Sequence, residues 1–144
     1  MRNDPTMIIS LISRIREKAN RLLAAELSKH GIKGVAPVHG DLIVALLIHG
    51  ELTMKEIADI LDRKKSTVTT LVEKLISLGY ATKRQDEMDG RSWRISLTDD
   101  GKALQDKLID ISNTLMSKVY QGIPDTDRKE VTRILGGINN NLET

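Results

Sequence analysis

The 144-residue chain has no cysteine and no phenylalanine, and only one tryptophan and two tyrosines. Without cysteine there are no disulfides, no thiolate zinc sites and no thiol-based redox sensing. Aromatics make up 2% of residues against an apolar share of 40%, so aliphatic side chains must do the packing. That balance suits helices better than a sandwich or barrel. No apolar run approaches a membrane span, and the opening MRNDPTMIIS lacks the long apolar core of a signal peptide. The expectation is a cytoplasmic protein with no membrane partner. His30, His39 and His49 are too few and too scattered to hold a metal. No nucleophile, acid–base dyad or phosphate loop is visible, so neither an enzyme nor a cofactor is expected.

What the chain does have is an uneven distribution of charge. The formal net charge is only +2. Residues 1–50 carry 7 bases and 4 acids, residues 51–102 carry 10 of each, and residues 103–144 carry 5 against 6. Between residues 63 and 84, however, Arg63, Lys64, Lys65, Lys74, Lys83 and Arg84 are opposed only by Glu73. A local basic patch in a near-neutral chain points to a polyanionic partner, or else to a solvated face.

The length fits one domain, or one compact unit with helical extensions. Ile8, Ile12, Ile15, Ala19, Leu23 and Leu27 predict a long helix over residues 6–29, ended by His30-Gly31 and Gly34. Pro37 opens a second helix with an apolar run from Leu42 to Ile48. Thr53-Met54-Lys55-Glu56 is a capping-box pattern before a short helix to Leu61. A tight Asp-Arg-Lys-Lys link leads to a helix from about Ser66 to Leu78, stopped by Gly79. Two short helices so joined are a helix-turn-helix candidate. Beyond Gly79 the period falls to two, predicting a β-hairpin around Asp89-Gly90, with Gly90 supplying positive φ. Trp93, Ile95 and Leu97 are expected to face inward and Arg94 outward. Thr98-Asp99-Asp100 then opens a long helix with stripe residues Leu104, Leu108, Ile111, Leu115 and Val119. Pro124-Asp125 opens a last helix carrying Val131, Ile134, Leu135, Ile138 and Leu142.

In the helix 66–78, Val68, Leu71, Val72 and Leu75 share one face, and Ser66, Thr69, Thr70, Glu73 and Ser77 the other. Short hydroxylated side chains let a backbone approach a phosphate-lined groove, and amides free at a helix start bind phosphate. Hydroxyls and threonine methyls can also read base edges in a major groove. The hairpin adds Arg91, rimmed by Lys83, Arg84 and Arg94, for a narrow minor groove whose negative potential attracts arginine. The carboxylates beside Arg91 are expected to hold its guanidinium in place.

The ordered set "LTMKEIADIL" and "STVTTLVEKLISLGYATKRQDEMDGRSWRISLTDDGKAL" resembles the winged-helix core of the MarR (multiple antibiotic resistance regulator) family. The likeness spans roughly residues 38 to 104 and includes Asp89-Gly90-Arg91 and Leu97-Thr98-Asp99-Asp100-Gly101. It implies a mainly α fold with a small β-hairpin wing, a winged helix-turn-helix core and long terminal dimerisation helices. The implied divisions are an N-terminal dimerisation helix over 1–36, a DNA-binding region over 37–99 and C-terminal dimerisation helices over 100–144.

The implied function is sequence-specific regulation of transcription, as a homodimeric, ligand-responsive repressor on a pseudo-palindromic operator in double-stranded DNA. The resemblance places Ser66, Thr67, Thr69 and Thr70 at the bases, and Lys64, Lys65 and Lys74 near phosphates. Arg84, Asp89, Arg91 and Arg94 belong to the wing, with Arg91 at the minor groove. Gly90 stands where many members carry a second basic residue, which implies weaker wing binding. A small-molecule effector is the implied control. The alternative is a winged-helix module for protein–protein contact. A two-fold pair is expected to bury Ile8, Ile12, Ile15, Leu108, Ile111, Leu115, Ile134, Leu135 and Ile138.

Overall fold

The computed structural model describes residues 3–144. Met1 and Arg2, the first two residues of the expected segment 1–36, lie outside the described residues. After a turn of 3-10 helix at Pro5–Met7, the elements run α1 (Ile8–Lys29), α2 (Pro37–His49), β1 (Glu51–Thr53), α3 (Met54–Leu61) and α4 (Lys65–Ser77). They continue with β2 (Ala81–Gln85), β3 (Trp93–Leu97), α5 (Asp99–Lys102), α6 (Gln105–Val119) and α7 (Asp125–Asn141). The protein is mainly helical, with a three-stranded antiparallel sheet in the order β1-β3-β2. Two compact units divide inside α6, between Ile111 and Ser112.

The first unit is built around α2. Leu42, Ile43 and Leu46 are almost wholly buried, together with Ile57 of α3, Val68, Val72 and Leu75 of α4, and Ile95 of β3. Each such side chain contributes about 1.5–3 kcal/mol by leaving water. The capping box forms as expected. Thr53 Oγ1 accepts from Glu56 N at 3.2 Å, and Glu56 Oε1 accepts from Thr53 N at 3.0 Å. Asp62 closes α3 with a left-handed φ of 50°. A short polar side chain tolerates that conformation better than most, and here it makes the tight turn into α4.

The structure adds one strand to the hairpin expected from sequence. Glu51–Thr53 pairs with β3, placing Glu51 opposite Ser96 and Thr53 opposite Arg94. Three residues are too short for alternation to show, and they lie between a helix end and a capping box. The hairpin turn also departs from expectation. The strands stop at Gln85 and restart at Trp93, leaving a loop over 86–92 closed by Asp86 N to Ser92 O at 2.8 Å. Gly90 is absent from the positive-φ glycines. The turn is made instead by Ser92 N donating to Asp89 O at 3.0 Å and by Arg91 N donating to the Asp89 carboxylate.

Ile95 and Leu97 are buried, but Trp93 at the same strand's outer end is 39% exposed. The expected long helix after Thr98 is broken at Ala103–Leu104 into α5 and α6. Leu104 N reaches only three residues back, to Gly101 O, and Leu104 is buried. Leu108 and Ile111, expected at a dimer surface, are instead part of the first unit's core.

The second unit, residues 112–144, contains the end of α6 and all of α7. Its turn is tied by Arg128, whose guanidinium donates to Ile123 O at 2.8 Å and lies 5.1 Å from the centre of the Tyr120 ring. No residue of α7 is buried.

Candidate nucleic-acid interface

Helix α4 begins without a side-chain cap, because Lys64 stands at the cap position with an extended backbone. Its first amides are left for solvent or a ligand, beside the exposed Lys64 and Lys65. Ser66, Thr67 and Thr70 are exposed behind them. Thr70 Oγ1 donates to Ser66 O at 3.3 Å and Thr69 Oγ1 to Lys65 O at 3.0 Å. Both hydroxyl protons are therefore used within the helix. What the two threonines can offer outward is an acceptor lone pair and a methyl group.

Thr69 was expected among the outward residues, but it is half-buried and lines the side of α4 turned toward the wing. Lys74 lies on the other flank, with its Cε beside Gly34. Burial, followed by the nearby Lys74 charge, holds the His39 imidazole below its ordinary pKa. His39 Nδ1 accepts from Ala36 N at 2.9 Å and so caps the start of α2.

In the wing, Arg84 and Arg94 are direct cross-strand partners. Like charges so placed repel, and each has its own carboxylate. Arg84 Nη2 and Nε donate to the two oxygens of Glu51 at 2.6 and 3.0 Å. Arg94 Nε donates to Asp86 Oδ2 at 3.1 Å. The Asp86 carboxyl is held below its ordinary range, chiefly by the Met88 amide and further by Arg94. The guanidinium held by a loop carboxylate is thus that of Arg94. The Asp89 carboxylate accepts from the backbone amide of Arg91 at 3.0 Å, and the Arg91 side chain is exposed at the loop.

Between α4 and the wing lies a cleft of about 280 Å³. Lys55, Lys65, Lys83 and Arg91 line it, with Glu73 the single acid and Trp93 beside them. The cleft brings the start of α4 and the Arg91 loop together. Lys55 was not among the residues expected from sequence, and Lys83 was expected only on the rim of the wing, not in a cleft facing α4. Strand alternation was the available signal for Lys83, which pairs with the buried Ile95 and so shares its face. Lys55 gave no such signal. Glu51 was invisible without β1. Among the described residues, no group of three or more His, Cys, Asp or Glu could hold a metal ion.

Comparison with known proteins bears on this geometry. Residues 33–92 match the model of the MarR family. Over 85 residues the chain is 34% identical to the organic hydroperoxide resistance transcriptional regulator of Bacillus subtilis, a match covering 57% of this chain and 58% of the relative. The chain thus spans little more than half the length of that relative. A MarR transcriptional regulator from Methanosarcina mazei superposes with a TM-score of 0.83 at 23% identity, covering 94% of this chain and 96% of the other. A MarR protein from Peptoclostridium difficile gives 0.87 at 18% identity, covering 99% and 91%. These two likenesses are of fold.

Proposed function

We propose that the chain is a member of the MarR family, whose model residues 33–92 match, and that it is a sequence-specific, double-stranded DNA-binding regulator of transcription. In this reading it acts as a homodimeric repressor on a pseudo-palindromic operator and is released by a small effector. The observation that carries the proposal is the uncapped start of α4, flanked by Lys64 and Lys65, facing the Arg91 loop across one cleft. A helix start offers amides and a positive dipole end to phosphate, and the duplex supplies phosphates on both sides of its major groove.

The proposed roles follow from the exposed groups. Ser66, Thr67 and Thr70 meet base edges, with Thr69 at the margin. Thr70 contributes its methyl group and lone pairs, which suits a thymine methyl or an exocyclic amine. Lys64, Lys65 and Lys74 contact phosphates. Arg91 is the wing's main contact. A phosphate must compete with Glu51 for Arg84 and with Asp86 for Arg94, while Asp89 shapes the loop.

Dimerisation is assigned to the segments 1–36 and 100–144, with DNA binding in 37–99. Support comes from apolar side chains left exposed on α1 (Ile9 60%, Leu11 50%, Ile15 52%) and on α7 (Val131 47%, Ile134 46%). Without cysteine, effector control cannot run through a thiol, and a non-covalently bound small molecule is the proposed effector. A cleft of about 600 Å³, lined by Leu46, Leu47, Leu97, Lys102 and Glu51, is the proposed seat for the effector.

Selection of random duplex DNA by the purified protein tests the whole reading. Selected sites should carry two half-sites with centres roughly 10 base pairs apart. Their log–log salt slope should be about −0.9 per phosphate contact. Thr70→Ala should change the preferred base at one position per half-site by about 1–3 kcal/mol, whereas Arg91→Ala should weaken all sequences alike. Failure to bind any duplex would leave the winged helix as a protein-contact module.

A further inference from the structure

Strand β2 carries two cations in succession, Lys83 and Arg84, and the pleat sends them to opposite faces. Arg84 goes to the face where Glu51 meets it. Lys83 goes to the face of Ile95, which is the face turned toward α4. There its ammonium lies 4.8 Å from the centre of the Trp93 ring, within the range of cation–π attraction. Trp93 is the diagonal neighbour of Lys83 across the β2–β3 ladder. Among the described residues, no ion pair with a carboxylate neutralises Lys83, in contrast to Arg84 and Arg94.

The cleft around Lys83 therefore holds four cations, Lys55, Lys65, Lys83 and Arg91, against the single acid Glu73. All four are exposed, and like charges gathered this closely favour an anion that joins them. At about 280 Å³ the cleft is too small to admit a duplex and large enough for one backbone phosphodiester.

We propose that this cleft seats one DNA backbone phosphate between α4 and the wing, held by Lys83 with Lys65 and Arg91, and that Trp93 positions the Lys83 ammonium for it. The inference rests on the DNA-binding reading above. It assigns Lys83, expected from sequence only on the wing's rim, to a backbone phosphate, and adds Trp93 as a positioning residue. The site fastens the reading helix and the wing to the same strand of the backbone.

The test is a titration of duplex DNA over a range of salt with the full chain and three variants. Lys83→Gln should make the log–log salt slope shallower by about 0.9 for each bound protomer, and Lys83→Arg should restore it. Lys129→Gln, the same charge change on α7, should leave the slope alone. Trp93 is the chain's only tryptophan, so its emission should change when DNA enters the cleft. The inference is overturned by an unchanged slope in Lys83→Gln, by an equal loss in Lys129→Gln, or by Trp93 emission that ignores bound DNA. If the parent chain binds no duplex, the DNA-binding reading falls, and this inference with it.

Discussion

The two units carry similar apolar patterns but bury them very differently. Among the described residues up to Ile111, nineteen hydrophobic side chains are buried; from Ser112 onward, none is. Yet Val131, Ile134, Leu135 and Ile138 on α7 follow the same helical spacing as Val68, Leu71, Val72 and Leu75 on α4. The difference is in the neighbours. Helix α4 is walled by α2, α3 and β2, whereas no residue of α7 is buried. An apolar stripe says that a surface is to be covered. It does not say which chain covers it.

That contrast can be broken from the buried side by Gly101→Ala. A Cβ there would lie 2.1 Å from Tyr80 O and 3.1 Å from Leu97 Cδ2. Backbone must move to admit it. The junction at risk is where Thr98 bonds Gly79 O at 2.6 Å and caps Gly101 N at 3.1 Å. The expected loss is on the order of 3 kcal/mol or more, read by urea denaturation, with the first unit melting early. A variant as stable as the parent would mean that the close approach is not maintained in solution.

From the exposed side, Leu135→Glu should leave the first unit's stability unchanged and abolish the proposed dimer. A charge placed in a desolvated interface core costs several kcal/mol. Sedimentation at low micromolar concentration should then show a 16.0 kDa species, and affinity for the proposed operator should fall steeply. If the first unit unfolds as well, α7 supports that unit directly and the contrast between the two units collapses.

A smaller effect is expected in the wing. The folded state depresses the Asp86 carboxyl. Its contribution to the loop is therefore complete above the ordinary carboxylate range, about pH 4, and is lost as pH falls through the lower folded value. Asp86→Asn should remove that dependence and speed hydrogen exchange at the Met88 amide, leaving the core amides protected. Uniform loss of protection would show that the loop and the core open together.

The smallest effect is expected at His39. Its folded pKa lies below the ordinary 6.5, so its stabilisation is present above 6.5 and declines as pH falls through the depressed value. Protonation would turn the Nδ1 acceptor for Ala36 N into a donor. His39→Asn should flatten the dependence of Tm on pH below 6.5. A parent protein with no such dependence would show that the cap makes no difference to stability.

Much of this fold was legible because periodicity and punctuation agreed. The stripes of α1, α4 and α7, the Thr53–Glu56 capping box and the change of period after Gly79 each gave one answer. The losses came where local signals were short or ambiguous. Three residues of β1 cannot display alternation, and Asp89-Gly90 suggested a two-residue turn where the chain builds a longer loop around Asp86 and Asp89 side chains. The basic patch was visible as composition. Its division into paired and unpaired cations was not, because Glu51 reaches Arg84 across 33 residues of sequence.

That long-range pairing bears on how the sequence can change. Arg84 and Arg94 oppose each other across the ladder, and each is tolerated because Glu51 or Asp86 answers it. Loss of Glu51 alone would leave Arg84 pressed against Arg94, and loss of Arg84 alone would leave Glu51 without its partner. Mutational drift at positions 51, 84, 86 and 94 should therefore be correlated, with charge swaps arriving in compensating sets. Position 83, which answers to no acid, should keep its own pace, set by whatever anion it meets.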